Sequence, residues 1–443
     1  MTMKNGMQSS RREAMALAAG GLGGLMLGAP LQASAMKEGK AKAVIQIWMW
    51  GGPSHLDTFD PKPEAGADYC GPYTAPIETN VSGIRICQAL PELAKHADKY
   101  AIIRSMTHGI NAHETASYVT QTGRPVGGDT FPCAGAVVSR FKGVDAGYKG
   151  LMPPYIVLTK PQGRFSESGF MGLRYKPFAT GGRPSQTPFT VEGIIQKGIT
   201  QARQESRRDL LAALDTFGRR TADNPQIRHM NLCTDQAYEL ILGDAGKVFD
   251  VKDEDPKLRE RYGRSDFGAS CLIARRLVEQ GVKYVTINYN YSPNWDSHKK
   301  HFEVMRTRLP EFDRGMATLL DDLHQRGLLD STIVWAGGEF GRGPKIQWEA
   351  PWNGGRSHYG KCFSHVVAGG GFQGGQVVGA SDETGSEVAD RPVYPWDLIG
   401  SIYEQLGIDP NAKLPHPQGI DVRVCATEAD GITIGGRLRE IMS

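Results

Sequence analysis

AVIQIWMWGGPSHLDTFDPKP, residues 43–63, is the stretch that decides the class of fold. Ala43 to Trp50 is a nearly continuous apolar run rich in β-formers, and it stops at Gly51-Gly52-Pro53. A strand that is apolar on both sides is buried on both sides, which is the condition of a parallel strand in a sheet covered by helices. In such sheets ligands bind in the loops at the C-terminal strand ends, and the loop that follows here carries Ser54, His55, Asp57 and Asp60.

Working outward, similar short strands are expected at Tyr100 to Arg104, Pro154 to Leu158, Tyr284 to Tyr289, Thr332 to Ala336 and Ser364 to Ala368. Between the last of these, Phe302, Met305, Leu309, Phe312, Met316, Leu319 and Leu323 recur at intervals of three and four, the spacing of an amphipathic helix, with Pro310 inside it as a candidate bend. A second helix is expected at about Gly268 to Gln280. Alternating strands and helices predict an α/β fold with a mostly parallel central sheet flanked by helices. The stretch from about 201 to 257 is charged and without strand signal, and reads as a helical insertion; residues 160 to 190, rich in Gly, Pro, Ser and Arg, read as a surface loop. Gly369, Gly371 and Gly374 match a G-x-G-x-x-G string, but the QVVGA that follows reads as a strand and not a helix, so a glycine-rich hairpin is expected.

Composition excludes several classes. With 40% hydrophobic and 22% charged residues the chain can bury a core and is not disordered. Lys and Arg number 51 against 48 Asp and Glu, without the basic excess of a nucleic-acid binder. Ser10-Arg11-Arg12, the apolar run from Ala14 to Leu27 and Ala33-Ser34-Ala35 read as a twin-arginine signal peptide over residues 1–35, which predicts a periplasmic or extracellular protein. Residues 36–443 then form a single domain with no membrane span. The seven cysteines are scattered with no C-x-x-C pair, which argues against a zinc finger and leaves at least one thiol unpaired; Cys70 and Cys87 are the nearest pair.

The residues just after the expected strands are rich in metal-ligand types. Asp57 follows the first; Asp296, His298 and His301 follow Tyr284 to Tyr289; Glu339 and Arg342 follow Thr332 to Ala336; His358 precedes the Ser364 strand. Imidazole with carboxylate suits a divalent ion such as zinc, where an all-oxygen set would favour calcium or magnesium. Taken singly, each of these residues is more often a loop hydrogen-bonding group, a helix cap or a solvated charge than a ligand. No G-x-S-x-G or H-E-x-x-H string is present, so ordinary serine-hydrolase and zinc-protease chemistry have no support.

WMWGGPSHLDTFDPKP, AHETASYVTQTGRP, NWDSHKKHF, GGEFGR and GGRSHYGKCFSHVVAGGGFQGG, in that order, resemble the DUF1501 family of exported bacterial proteins. That family is similar to the alkaline phosphatase and sulfatase superfamily, which implies an α/β fold with a metal site at the C-terminal edge of its sheet. The sulfatase pattern C/S-x-P-S-R-x-x-L-x-T-G-R, counted back from Thr122-Gly123-Arg124, implies that His113 stands where the nucleophile would be, so no formylglycine can form. The acidic pair closing the first strand in sulfatases is replaced by Trp50 and Gly51. The resemblance implies a divalent metal, zinc by its donors, held by some of Asp57, Asp296, His298, Glu339 and His358. Arg342 would lie near the substrate anion, and His113 would be ligand, general acid or nucleophile. The substrate would be a phosphate or sulfate ester, small or polysaccharide. The alternative is an inactive relative that binds an extracellular glycan or anion.

Overall fold

The computed structural model describes residues 39–443, except 162–166, 187, 188, 190, 192–200, 290–294 and, apart from positions 224, 227, 231 and 234, 215–243. The expected signal peptide therefore lies outside the described residues.

An eight-stranded sheet organises the chain. Its strands are β1 (Ala43–Trp48), β2 (Tyr100–Met106), β3 (Tyr155–Leu158), β4 (Phe178–Ala179), β5 (Tyr284–Asn288), β6 (Thr332–Gly337), β9 (Phe363–Ala368) and β10 (Gln376–Val378), while β7 (Gly341–Arg342) and β8 (His358–Tyr359) form a separate two-stranded ribbon. Across the sheet the order is β10-β2-β9-β6-β1-β5-β3-β4. Every pairing is parallel except those of β9, which runs antiparallel to both β2 and β6. The fold is thus α/β with a mostly parallel sheet, as the alternating pattern predicts.

β1 is buried along its whole length because successive side chains enter two different cores. Ala43, Ile45 and Ile47 join Val285, Ile287 and Val334 on one face, covered by the helices Asp266–Glu279 and His301–Gln325. Val44 joins Ala101, Ile103, Tyr284 and Ile333 on the other, covered by Ala134–Lys142 and Pro395–Gln405. The long helix runs through Pro310 without ending there.

Two expectations need correction. The segment 160–190 is not only a surface loop: β4 adds to the sheet edge beside β3, and Met171 and Tyr175 enter the second core. A two-residue strand is too short to show a period. The glycine-rich turn after β9 does not make a hairpin, because β10 pairs with β2, on the side away from β9. The turn passes closely across the chain before β2: a Cβ on Gly374 would lie 2.2 Å from the carbonyl oxygen of Asp98. In the expected insertion, Gln201–Leu214 is helical, short 3-10 turns follow at 244–249 and 251–253, and no strand occurs among its described residues. Six cysteines are buried and free of disulfides; Cys233 lies outside the described residues. No described helix is long and apolar enough to cross a membrane.

Candidate metal centre

β1, β5 and β6 run in register and in parallel, so the loops that follow them emerge at one edge of the sheet. The β1 loop brings Trp50, Gly51 and Asp57; the β5 loop brings Asp296 and His298; the β6 loop brings Glu339 and Arg342. β2 is followed at Met106 by a loop into helix α1 (His113–Thr122), whose first residue is His113. Because β9 is reversed, the β7-β8 ribbon that precedes it, with His358 in β8, arrives at the same edge.

His113, Asp296 and His358 converge, with one ligand atom from each lying within 4.8 Å of the others. His113 Nε2 is 3.3 Å from Asp296 Oδ2, and His358 Nε2 is 3.1 Å from Asp296 Oδ1. Two ligands of a tetrahedral zinc ion, each about 2.0–2.1 Å from it, stand about 3.3 Å apart, so these separations fit. The far ring nitrogens are committed elsewhere. His113 Nδ1 donates to Glu339 Oε1 at 2.6 Å, and His358 Nδ1 donates to the Asn111 carbonyl at 2.8 Å. In the neutral tautomers both Nε2 lone pairs therefore face a carboxylate, an arrangement that needs a positive charge between them. His113 Nε2 is buried and makes no hydrogen bond.

Protonation is one way to supply that charge. Burial pushes His113 down, but Asp296 and Glu339 outweigh it and lift the imidazole to about 9. Burial pushes Asp296 up, yet His113, His358 and Arg342 hold it well below the usual carboxylate range. A divalent cation is the other way, and the donor set, two imidazoles and a carboxylate with second partners already fixed, matches zinc coordination with its outer hydrogen bonds.

The other residues expected from sequence take different places. His298 Nε2 lies 3.1 Å from Asp296 Oδ1 and 2.8 Å from His358 Nε2. The second distance is that of a hydrogen bond, so His298 stands beside the cluster. Glu339 is fully buried and accepts from Gly51 N–H as well as from His113, which makes it the support of a ligand and not a ligand in this arrangement. Arg342 is fully buried; it donates to Gly51, Gly52 and Arg356 carbonyls and to Asp296, so it does not face a substrate anion. Asp57 is set apart from the cluster: Arg356 pairs with both its oxygens and His301 Nε2 is 2.8 Å from Oδ2. Both contacts offset its burial and pull it down to about 2.

Sequence reading assigned no role to several contributors. Trp50 stacks on His113, with ring centroids 4.7 Å apart, and Phe340 packs against both His113 and His358. Gly51, at φ +105°, lets the β1 loop touch the β5 loop: a Cβ there would be 2.3 Å from Asp296 N. His108 Nε2 donates to the Glu339 carbonyl at 2.7 Å. Arg356, next but one to His358, carried no signal of its own.

No match is found among curated proteins. Solved structures with a distant likeness include Ps i-CgsB in complex with a neocarrahexaose, 11% identical with a TM-score of 0.40, covering 88% of this chain and 75% of that one. Another is the PsFucS1 sulfatase from Pseudoalteromonas sp., 14% identical, TM-score 0.34, covering 86% and 69%. A third is a TAB5 alkaline phosphatase mutant with Mg bound, 9% identical, TM-score 0.38, covering 84% and 100%. The family described as "Protein of unknown function (DUF1501)" matches residues 41–433, and the chain belongs to it.

Proposed function

We propose that the protein is an exported metal-dependent hydrolase of phosphate or sulfate esters. The observation that carries this reading is the convergence of His113 from helix α1, Asp296 from the β5 loop and His358 from β8, at metal-ligand spacing and with the outer nitrogens of both histidines already bonded. A bound divalent ion would lower the pKa of a coordinated water and polarise an ester oxygen.

The chain's own groups divide the remaining work. Glu339 and the Asn111 carbonyl hold the Nδ1 protons of His113 and His358, which keeps both Nε2 atoms bare. Arg342 orients Asp296 and keeps it ionised. His298 is 36% exposed beside the cluster, where its Nε2–H donates to His358 Nε2 at 2.8 Å in the ion-free protein, and burial with the nearby Arg342 lowers its basicity. With imidazole in place of a hydroxyl or thiol at position 113, water and not a side chain is the nucleophile. The leader before residue 36 supports the export part of the reading.

Metal analysis of the purified mature chain, with a panel of aryl phosphate and aryl sulfate esters with and without chelator, tests this. The expected result is a bound divalent ion, turnover lost on chelation, and at least a ~100-fold fall in kcat/KM in folded His358→Ala and Asp296→Ala. An ion-free, inactive protein that binds an anionic glycan through both substitutions would contradict it and identify a binding protein.

A further inference from the structure

A second constellation lies behind the metal-ligand loops. Ser297 Oγ is 2.6 Å from His301 Nδ1, His301 Nε2 is 2.8 Å from Asp57 Oδ2, and Arg356 closes the series on Asp57. A serine, a histidine and a carboxylate in hydrogen-bonded order are the parts of a nucleophilic triad. Here they are arranged for another purpose. Ser297 is only 4% exposed, and Asp57, His301 and Arg356 are fully buried, so a substrate has no access to the hydroxyl. The imidazole presents Nδ1 to the serine and Nε2 to the carboxylate, the reverse of the template. Arg356 neutralises the carboxylate that would have to stabilise an imidazolium.

What this series does reach is the ligand loop. Ser297 lies between Asp296 and His298, and the Arg356 N–H bonds its carbonyl at 3.4 Å. The Arg356 carbonyl in turn accepts from Arg342, which also donates to Asp296. Three loops that are distant in sequence are thereby tied into one buried frame. We infer that Asp57, His301 and Ser297 form a positioning relay that fixes the 296–298 loop and so sets the affinity of the site for a divalent cation. The inference rests on the metal-site reading above and deepens it. A ligand loop held before the ion arrives loses less conformational freedom on binding.

The test is zinc titration of the full mature chain in competition with a chromophoric chelator, for wild type, Ser297→Ala and His301→Phe. Phe fills the ring volume and leaves the Asp57–Arg356 pair in place. The zinc Kd is expected to rise about tenfold in His301→Phe, the scale of lost outer-shell contacts, and by a smaller factor in Ser297→Ala, while fluorophosphonate leaves Ser297 unlabelled. If His301→Phe does not fold, Ser297→Ala, which removes one oxygen, decides alone. Unchanged zinc affinity in folded variants of a zinc-binding wild type overturns the relay and leaves the metal site standing. Labelling of Ser297, or turnover abolished in Ser297→Ala at unchanged zinc affinity, overturns it in favour of a nucleophile. A wild type that binds no zinc overturns both readings.

Discussion

Glu339 marks the boundary between ligand and support. Its place after β6 made it a candidate ligand, and its type gave no further guidance, because a carboxylate can bind an ion or hold the histidine that does. The fold decides by burying it completely between Gly51 N–H and His113 Nδ1. Glu339→Gln keeps the shape but removes the anionic acceptor behind His113, and zinc affinity measured by calorimetry is expected to fall about 10- to 100-fold. Unchanged affinity would show that Glu339 does not act through His113. Asp57 teaches the same lesson, since the guanidinium that claims it lies 299 residues away, a pairing no local pattern reveals.

At the scale of elements, what could be read was what has a period or a continuous apolar run. β1, β2, β3, β5, β6 and β9 fall where their sequences place them to within two residues at either end, because a strand buried on both faces reads as a mostly apolar run whose ends show. β4 and the crossing after β9 were illegible, the first for its length and the second because a glycine-rich turn does not say which neighbour its strand will join. Pro310 is exposed in mid-helix and cannot donate to the carbonyl of Arg306, one turn earlier. Pro310→Ala should therefore stabilise the protein by about 2 kcal/mol, within the range set by the cost of an interior proline, seen as a higher urea midpoint. A lower midpoint would mean that the long helix needs the distortion to pack.

For the whole molecule, the parallel sheet made it legible that the ligand-rich loops share an edge, but not which side chains meet there. Buried histidines outside the cluster give the fold a characteristic pH response. Burial pushes His108 and His365 down to about 4, outweighing the hydrogen bond that each makes to a backbone carbonyl, which acts to raise it. Unfolded, they bind protons near 6.5, so the stability each confers is complete above that value and is lost as pH falls to about 4, roughly 3 kcal/mol apiece. His113 acts in the opposite sense in the metal-free protein: raised to about 9, it stabilises fully below 6.5 and loses that contribution between 6.5 and 9. The Tm of chelator-treated protein is therefore expected to peak near pH 6.5 and fall on both sides; a monotonic rise from pH 4 to 9 would contradict these assignments.

An anomalous difference map from crystals grown with zinc locates the ion directly. One peak is expected within about 2.2 Å of His113 Nε2, His358 Nε2 and an Asp296 oxygen, with Glu339 and Asp57 uncoordinated. Density absent there, or centred on Asp57 instead, would contradict the assignment of these three residues as a metal site.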